Sequence, residues 1–242
     1  MVNFLILLVL HFIGDFYLQT SKIAKCKNAS VGVGCDGCSS CKKNSLFNNK
    51  YLIFHTLLYI APFLFLFFMT EWTSTLVIIG ILFVSHYVVD IISCCLNKKS
   101  KQTLVFIADQ ILHIVILFAM YKLFDFNSEF LQYATAIKII FASLFLIVPS
   151  FVFINKLFQD LFPETEKGII FDVGSIIGIL ERVLVLIFAC FGDFAAIAII
   201  ITVKTWARSS DLKDKIDFRS KYLLGTLASL VLALIGFLIY RL

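Results

Sequence analysis

Eight apolar stretches, near residues 2–19, 50–70, 73–95, 103–122, 132–156, 169–190, 192–208 and 219–241, follow one another along the chain. Few features constrain a fold so strongly. A bilayer core about 30 Å thick takes roughly 20 apolar residues of helix, and only elements that pair every backbone N–H and C=O internally can cross it. Of 242 residues, 60% are hydrophobic and 15% are charged, with a mean hydropathy of +0.96. A soluble domain carries roughly 25% charged residues, so this chain lacks the polar surface to cover itself in water. Disorder, a coiled coil, a secreted disulfide scaffold and a cytosolic enzyme are excluded. The expected fold is all-α: a polytopic transmembrane helical bundle of about eight spans.

The net charge is +5, and its placement matters more than its sum. Lys22, Lys25, Lys27, Lys42, Lys43 and Lys50 fall in the first loop, and Lys98, Lys99 and Lys101 in the third. Lys156 and Lys167 flank the fifth loop, and Lys204, Arg208, Lys213, Lys215, Arg219 and Lys221 surround the seventh. Together these are 17 of the 21 basic residues. Short basic loops stay in the cytoplasm, so both termini are expected outside, which an even number of spans allows. Topology accounts for the basic loops, and nothing else favours nucleic acid as a partner. The first stretch has no basic residue before it and no small-residue cleavage site after it, so it does not read as a removed signal peptide. No internal repeat stands out. Residues 1–125 are expected to form a four-helix membrane domain with a cysteine-rich cytoplasmic loop at 20–49. Residues 126–242 form a second helical region, expected in the same bundle.

All four histidines lie inside apolar stretches, and three have an Asp four residues away: His11 with Asp15, His86 with Asp90, and Asp109 with His113. His55 stands alone. An i,i+4 pair puts both side chains on one helix face, a spacing that suits chelation. At 1.5 Å per residue, Asp15, His55, Asp90 and Asp109 lie roughly 6–9 Å from the cytoplasmic ends of their helices, and His11, His86 and His113 roughly one turn deeper. Seven ionisable groups from four helices thus share one layer. An Asp near a helix centre costs about 2.5–3.5 kcal/mol on insertion scales, so such groups pair with each other or hold a cation. Imidazole with carboxylate suits zinc, iron or manganese better than calcium. Seven ligands exceed the four of one tetrahedral zinc, leaving room for two ions, with Gln19 and Gln110 beside them or contacting substrate. Interhelical His–Asp hydrogen bonds and a proton relay are the other readings of the same pattern.

The segments HFIGDFYLQ (11–19), SHYVVD (85–90) and ADQILH (108–113), with His55 between them, resemble a bacterial membrane family known as domain-of-unknown-function family 3307. The resemblance covers about the first 125 residues, and LERVLVL (180–186), VKTWAR (203–208) and GTLAS (225–229) look like a tail that members often carry. It implies a helical membrane fold and a multi-pass protein of the bacterial inner membrane, without supplying a reaction. A more distant likeness is to membrane-bound metal-dependent hydrolases. The cysteine-bearing stretch at 26–41 looks like an insertion in a loop that is usually short.

Cys26, Cys35, Cys38 and Cys41 crowd that loop among Gly32, Gly34 and Gly37. Such spacing can hold a zinc ion or an iron–sulfur cluster, or leave free or redox-active thiols. Cys94, Cys95 and Cys190 lie in apolar surroundings and read as packing residues. In the second half, Glu181 and Arg182 sit mid-span and point about 100° apart, so each is expected to meet a different partner: a structural ion pair, or a substrate headgroup. Lys204 and Arg208 flank Trp206, as a cytoplasmic anchor or a phosphate clamp.

The first expectation is therefore a metal-dependent integral-membrane hydrolase, with zinc the favoured ion and an amphiphilic lipid or lipid-linked phosphate or acyl substrate. His11, His55, His86, His113, Asp15, Asp90 and Asp109 form the ligand set, with one of the Asp residues as general base. The second is a cation or proton transporter using the same layer. The third is a non-catalytic membrane anchor or sensor built on the cysteine loop.

Overall fold

The computed structural model describes residues 1–20, 22–24, 50–96, 101–127, 129–162, 173–209, 213 and 216–241. The described residues are mostly helical and contain no strand. Helix α1, Val2–Phe12, continues as a π-helical turn, Ile13–Tyr17. Helix α2, Lys50–Ile60, tightens into a 3-10 segment, Ala61–Phe68. Pro62 begins that change, because it has no N–H to offer Leu58 one turn earlier. Helices α3, Trp72–Leu96, and α4, Gln102–Leu123, follow, and then a short 3-10 turn, Glu129–Tyr133. The remainder is α5, Ala134–Leu161; α6, Val173–Phe191; α7, Phe194–Ala207; and α8, Ile216–Arg241.

This is an all-α polytopic membrane bundle. Among the described residues, six helical segments are long and apolar enough to cross a bilayer. The other two of the eight expected apolar stretches are helices as well. Val2–Tyr17 and Phe194–Ala207 are apolar but shorter, about 24 Å and 21 Å at 1.5 Å per residue. Local chemistry bounds α7: Gly192 takes a left-handed φ of 75° to close α6, and the Asp193 carboxylate then caps α7 by accepting from the Ala196 N–H.

The chain divides into two compact units, Met1–Ile137 and Lys138–Leu242. The boundary lies in the first turn of α5, and the Glu129–Tyr133 turn before it packs on α1.

In the first unit the helices pack in a closed ring, α1 on α2, α2 on α3, α3 on α4 and α4 on α1. Hydrogen bonds fix their directions. The Met1 ammonium donates to the Tyr121 hydroxyl, Asn3 to the Asn127 carbonyl, and Asn127 to the carbonyls of Phe68 and Met69. The start of α1 and the ends of α2 and α4 therefore share one end of the bundle, and α1 and α3 run antiparallel to α2 and α4. Toward that end the interior is a packed apolar plug of Leu7, Phe63, Leu66, Ile78, Leu82 and Leu117, each 0–2% exposed. The lipid-facing positions Leu57, Val84, Leu104 and Val115 are exposed, as in a bundle whose outer solvent is hydrocarbon.

In the second unit, α6 packs on both α7 and α8 around Ala142, Leu146, Leu186, Ala189 and Ala233. Pro149 interrupts α5 and leaves the Phe145 carbonyl without its helical donor, a role taken by the Ser150 hydroxyl at 2.8 Å.

Candidate metal centre

The layer is built where the π turn after α1 packs on α2. A Cβ on Gly14 would stand 2.6 Å from the Tyr59 carbonyl oxygen, so only glycine permits that approach. Beside Gly14 the π turn adds a residue to the helical repeat and presents Asp15, 6% exposed, to the interior. Such turns occur often at functional sites.

Asp15, His55, His86 and Asp90 converge. His55 Nε2 lies 3.2 Å from Asp15 Oδ1, 3.5 Å from Asp90 Oδ2 and 3.2 Å from His86 Nε2. His86 Nε2 lies 3.6 Å from Asp90 Oδ2 and 4.0 Å from Asp15 Oδ1. A tetrahedron with bonds of about 2.0–2.2 Å to a central ion has edges of about 3.3–3.6 Å. Four of the five separations lie at or near that range and the His86–Asp15 one is longer; Asp15, His55 and His86 each place a ligand atom within 4.8 Å of the others, with the same imidazole nitrogen turned inward on both histidines. Both imidazoles are buried, 0% and 1% exposed.

A second group, Asp90, Asp109 and His113, also places one ligand atom from each residue within 4.8 Å of the others. His113 Nε2 is 3.8 Å from Asp109 Oδ1, too far for a hydrogen bond, and has no hydrogen-bond partner among the described residues. A cation between them would satisfy both.

His11 departs from the expected ligand role. Its Nδ1 lies 3.3 Å from the Tyr59 hydroxyl and its Nε2 3.2 Å from Gln110 Oε1, so both ring nitrogens are committed. The carboxylates fix the proton pattern. Gln110 Nε2 donates to Asp15 Oδ2 at 2.9 Å and to Asp109 Oδ2 at 3.1 Å. Its Oε1 must then accept, so His11 donates from Nε2 and accepts the Tyr59 proton at Nδ1. Gln110, expected beside the ligands, thus ties two of the acids to His11.

Two members of the site escaped the sequence reading. Tyr59, 1% exposed, stacks on the His86 ring at 3.6 Å between centroids and 3° between planes. Ser93 donates to Asp109 Oδ1 at 2.5 Å. Both carried a signal: Tyr59 lies four residues after His55 and Ser93 three after Asp90, on the faces already marked as polar.

The other expected residues lie elsewhere. Gln19 Nε2 is buried without a hydrogen bond among the described residues. Glu181 pairs with Lys204, while the neighbouring Arg182 donates to the Leu146 carbonyl and the Ser229 hydroxyl, at 2.9 Å each. Arg208 is exposed at the end of α7. Cys26, Cys35, Cys38 and Cys41 fall outside the described residues.

A ring of four antiparallel membrane helices with a buried His/Asp layer defines the class of protein. Residues 3–33 and 36–146 match the family described as protein of unknown function (DUF3307), and the chain belongs to it. The match takes in all seven His/Asp residues, Tyr59 and Ser93, and most of the 26–41 stretch expected as an insertion. No curated protein and no solved structure matches the chain, so the likeness to membrane-bound hydrolases has no matched protein behind it.

Proposed function

We propose that the first unit holds a divalent-cation centre and that the protein is a metal-dependent membrane hydrolase acting on an amphiphilic ester or phosphoester. The carrying observation is the convergence of His55 and His86 Nε2 with Asp15 and Asp90 oxygens at tetrahedral edge distances. Asp90, Asp109 and His113 provide for a second ion, with Asp90 shared. Zinc fits a mixed imidazole and carboxylate set. A bound divalent cation would acidify water and stabilise charge on a phosphoryl or acyl oxygen.

The side chains of this layer supply the rest. Asp109 has the most exposed side chain of the three acids, 13% against 8% for Asp15 and 2% for Asp90, and suits the role of general base when a single ion is held by the other group. It takes a proton from the attacking water, whose oxygen bonds to the phosphorus or acyl carbon. The ester bond breaks with its electron pair on the leaving oxygen, which receives that proton. Ser93 and Gln110 hold Asp109 in place.

The apolar plug argues for hydrolysis over transport. A transported ion needs polar contacts across the full bilayer, whereas Leu7, Phe63, Leu66, Ile78, Leu82 and Leu117 seal the half beyond the layer. The basic loops favour a bacterial inner-membrane orientation with the layer in the cytoplasmic half and both termini outside. Metal analysis of the purified full-length chain tests the centre. One or two equivalents of a transition metal, lost in His86→Ala and accompanied by loss of ester hydrolysis, is the expected result. A metal-free wild type that does not take up zinc would overturn it.

A further inference from the structure

The second unit buries a cation that forms no ion pair with a carboxylate among the described residues. Arg182 is 3% exposed. Its Nε donates to the Leu146 carbonyl and its Nη1 to the Ser229 hydroxyl. A guanidinium carries five N–H donors, so three remain without a hydrogen bond among the described residues. No described carboxylate pairs with it, because the adjacent Glu181 is taken by Lys204. A buried ionic group with unmatched donors inside a membrane protein is expensive, and such groups mark binding sites more often than they serve as glue.

Arg182 also lines a small, mainly apolar pocket. Its polar lining is Glu181, Arg182, Lys204, Thr226 and Ser229, and about 20 Å³ is open to the centre of a water-sized group, enough for a single oxygen of a ligand. The charged side chains sum to one net positive charge. Thr226 Oγ1 supplies a second orphan, since it is buried with no hydrogen-bond partner among the described residues. The remaining wall is apolar, including Ile200, Ile201 and Leu230. Spare guanidinium donors, a free hydroxyl and one unbalanced positive charge suit a phosphate oxygen, and the apolar wall suits the chain attached to it.

We infer that the Arg182–Thr226–Ser229 pocket of the second unit is an anion site that takes the phosphate group of an amphiphile. None of its lining residues belongs to the His/Asp set, and the inference does not depend on the metal reading.

The test uses the full-length protein in phosphatidylcholine nanodiscs carrying a minor fraction of phosphatidate, with retention of each lipid read by native mass spectrometry. Wild type should retain phosphatidate in preference to phosphatidylcholine. Arg182→Gln and Thr226→Val should each weaken that retention by about tenfold, the scale of a lost hydrogen bond to a charged group. Thr226→Val keeps the shape and leaves the Arg182–Leu146 contact in place, so it decides the matter if Arg182→Gln fails to fold. Inorganic phosphate added as competitor separates the sources: displacement shows that the oxyanion suffices, and persistence shows that the acyl chains contribute. Equal retention of the two lipids by wild type, or phosphatidate retention unchanged in Thr226→Val, overturns the inference.

Discussion

His55 and His86 turn the same ring atom, Nε2, toward each other at 3.2 Å, with carboxylate oxygens of Asp15 and Asp90 closing on both. Two imidazole nitrogens so placed either share a proton or face a common cation. The cation reading predicts that His86→Ala removes about one bound ion and leaves helical content unchanged, because single polar contacts in membrane bundles average only about 0.6 kcal/mol. Elemental analysis with circular dichroism checks this. Metal content equal to wild type, or a collapse of helicity with no metal to lose, would favour His–Asp pairing as glue.

Gly14 and Gly80 make a matched pair for testing how the layer is positioned. A methyl group on Gly14 would meet the Tyr59 backbone at 2.6 Å, whereas one on Gly80 meets nothing within 4 Å. Gly14→Ala should destabilise the protein by about 1–3 kcal/mol, the usual cost of overpacking, and weaken metal binding by moving α1 off α2. Gly80→Ala should be neutral or slightly stabilising. Thermal unfolding in detergent reads both, and equal melting temperatures would show that the close approach does not position the site.

Much of this was legible in the sequence. The fold class followed from hydropathy, and the layer from three i,i+4 His–Asp spacings at one depth, because helical periodicity maps directly onto a helix face. What stayed hidden depends on departures from that periodicity. The π turn at Ile13–Tyr17 has no residue signature, yet it sets how Asp15 faces His55. The same limit applies to His11. Its spacing from Asp15 matched the other pairs, but Tyr59 and Gln110, from other helices, take both its nitrogens. In the second unit the Leu146 carbonyl that receives Arg182 lies 36 positions away, beyond any local pattern.

The Tyr59–His11–Gln110 chain predicts an order of severity. Tyr59→Phe keeps the ring stacked on His86 and loses only the hydroxyl contact to His11, so it should cost about 1 kcal/mol and leave metal content intact. Gln110→Leu removes a donor from each of two carboxylates at once, one of them buried. Hydrogen bonds to charged groups contribute about 1.5–3 kcal/mol each, so its loss in stability should exceed that of Tyr59→Phe. It should also lower the rate of any hydrolysis by loosening Asp109. Denaturation midpoints for the two variants settle the order, and a Tyr59→Phe loss equal to or larger than that of Gln110→Leu would contradict the derived proton pattern.

The membrane orientation yields the last prediction. Met1, Met69 and Asn127 meet at one end of the first unit, so the opposite end carries the connections after α1 and α3, where Lys22 through Lys50 and Lys98 through Lys101 lie in sequence. From the positive-inside bias, that end is expected to face the cytoplasm. The native cysteines at 26, 35, 38 and 41 report on this directly, once exposed Cys190 is replaced by serine to remove its signal. In intact cells an impermeant maleimide should leave that variant unlabelled, and permeabilisation should expose the thiols. Labelling before permeabilisation would invert the topology. The loop would then face an oxidising compartment, where four closely spaced cysteines form disulfides rather than hold zinc, and substrate would have to reach the layer from outside the cell.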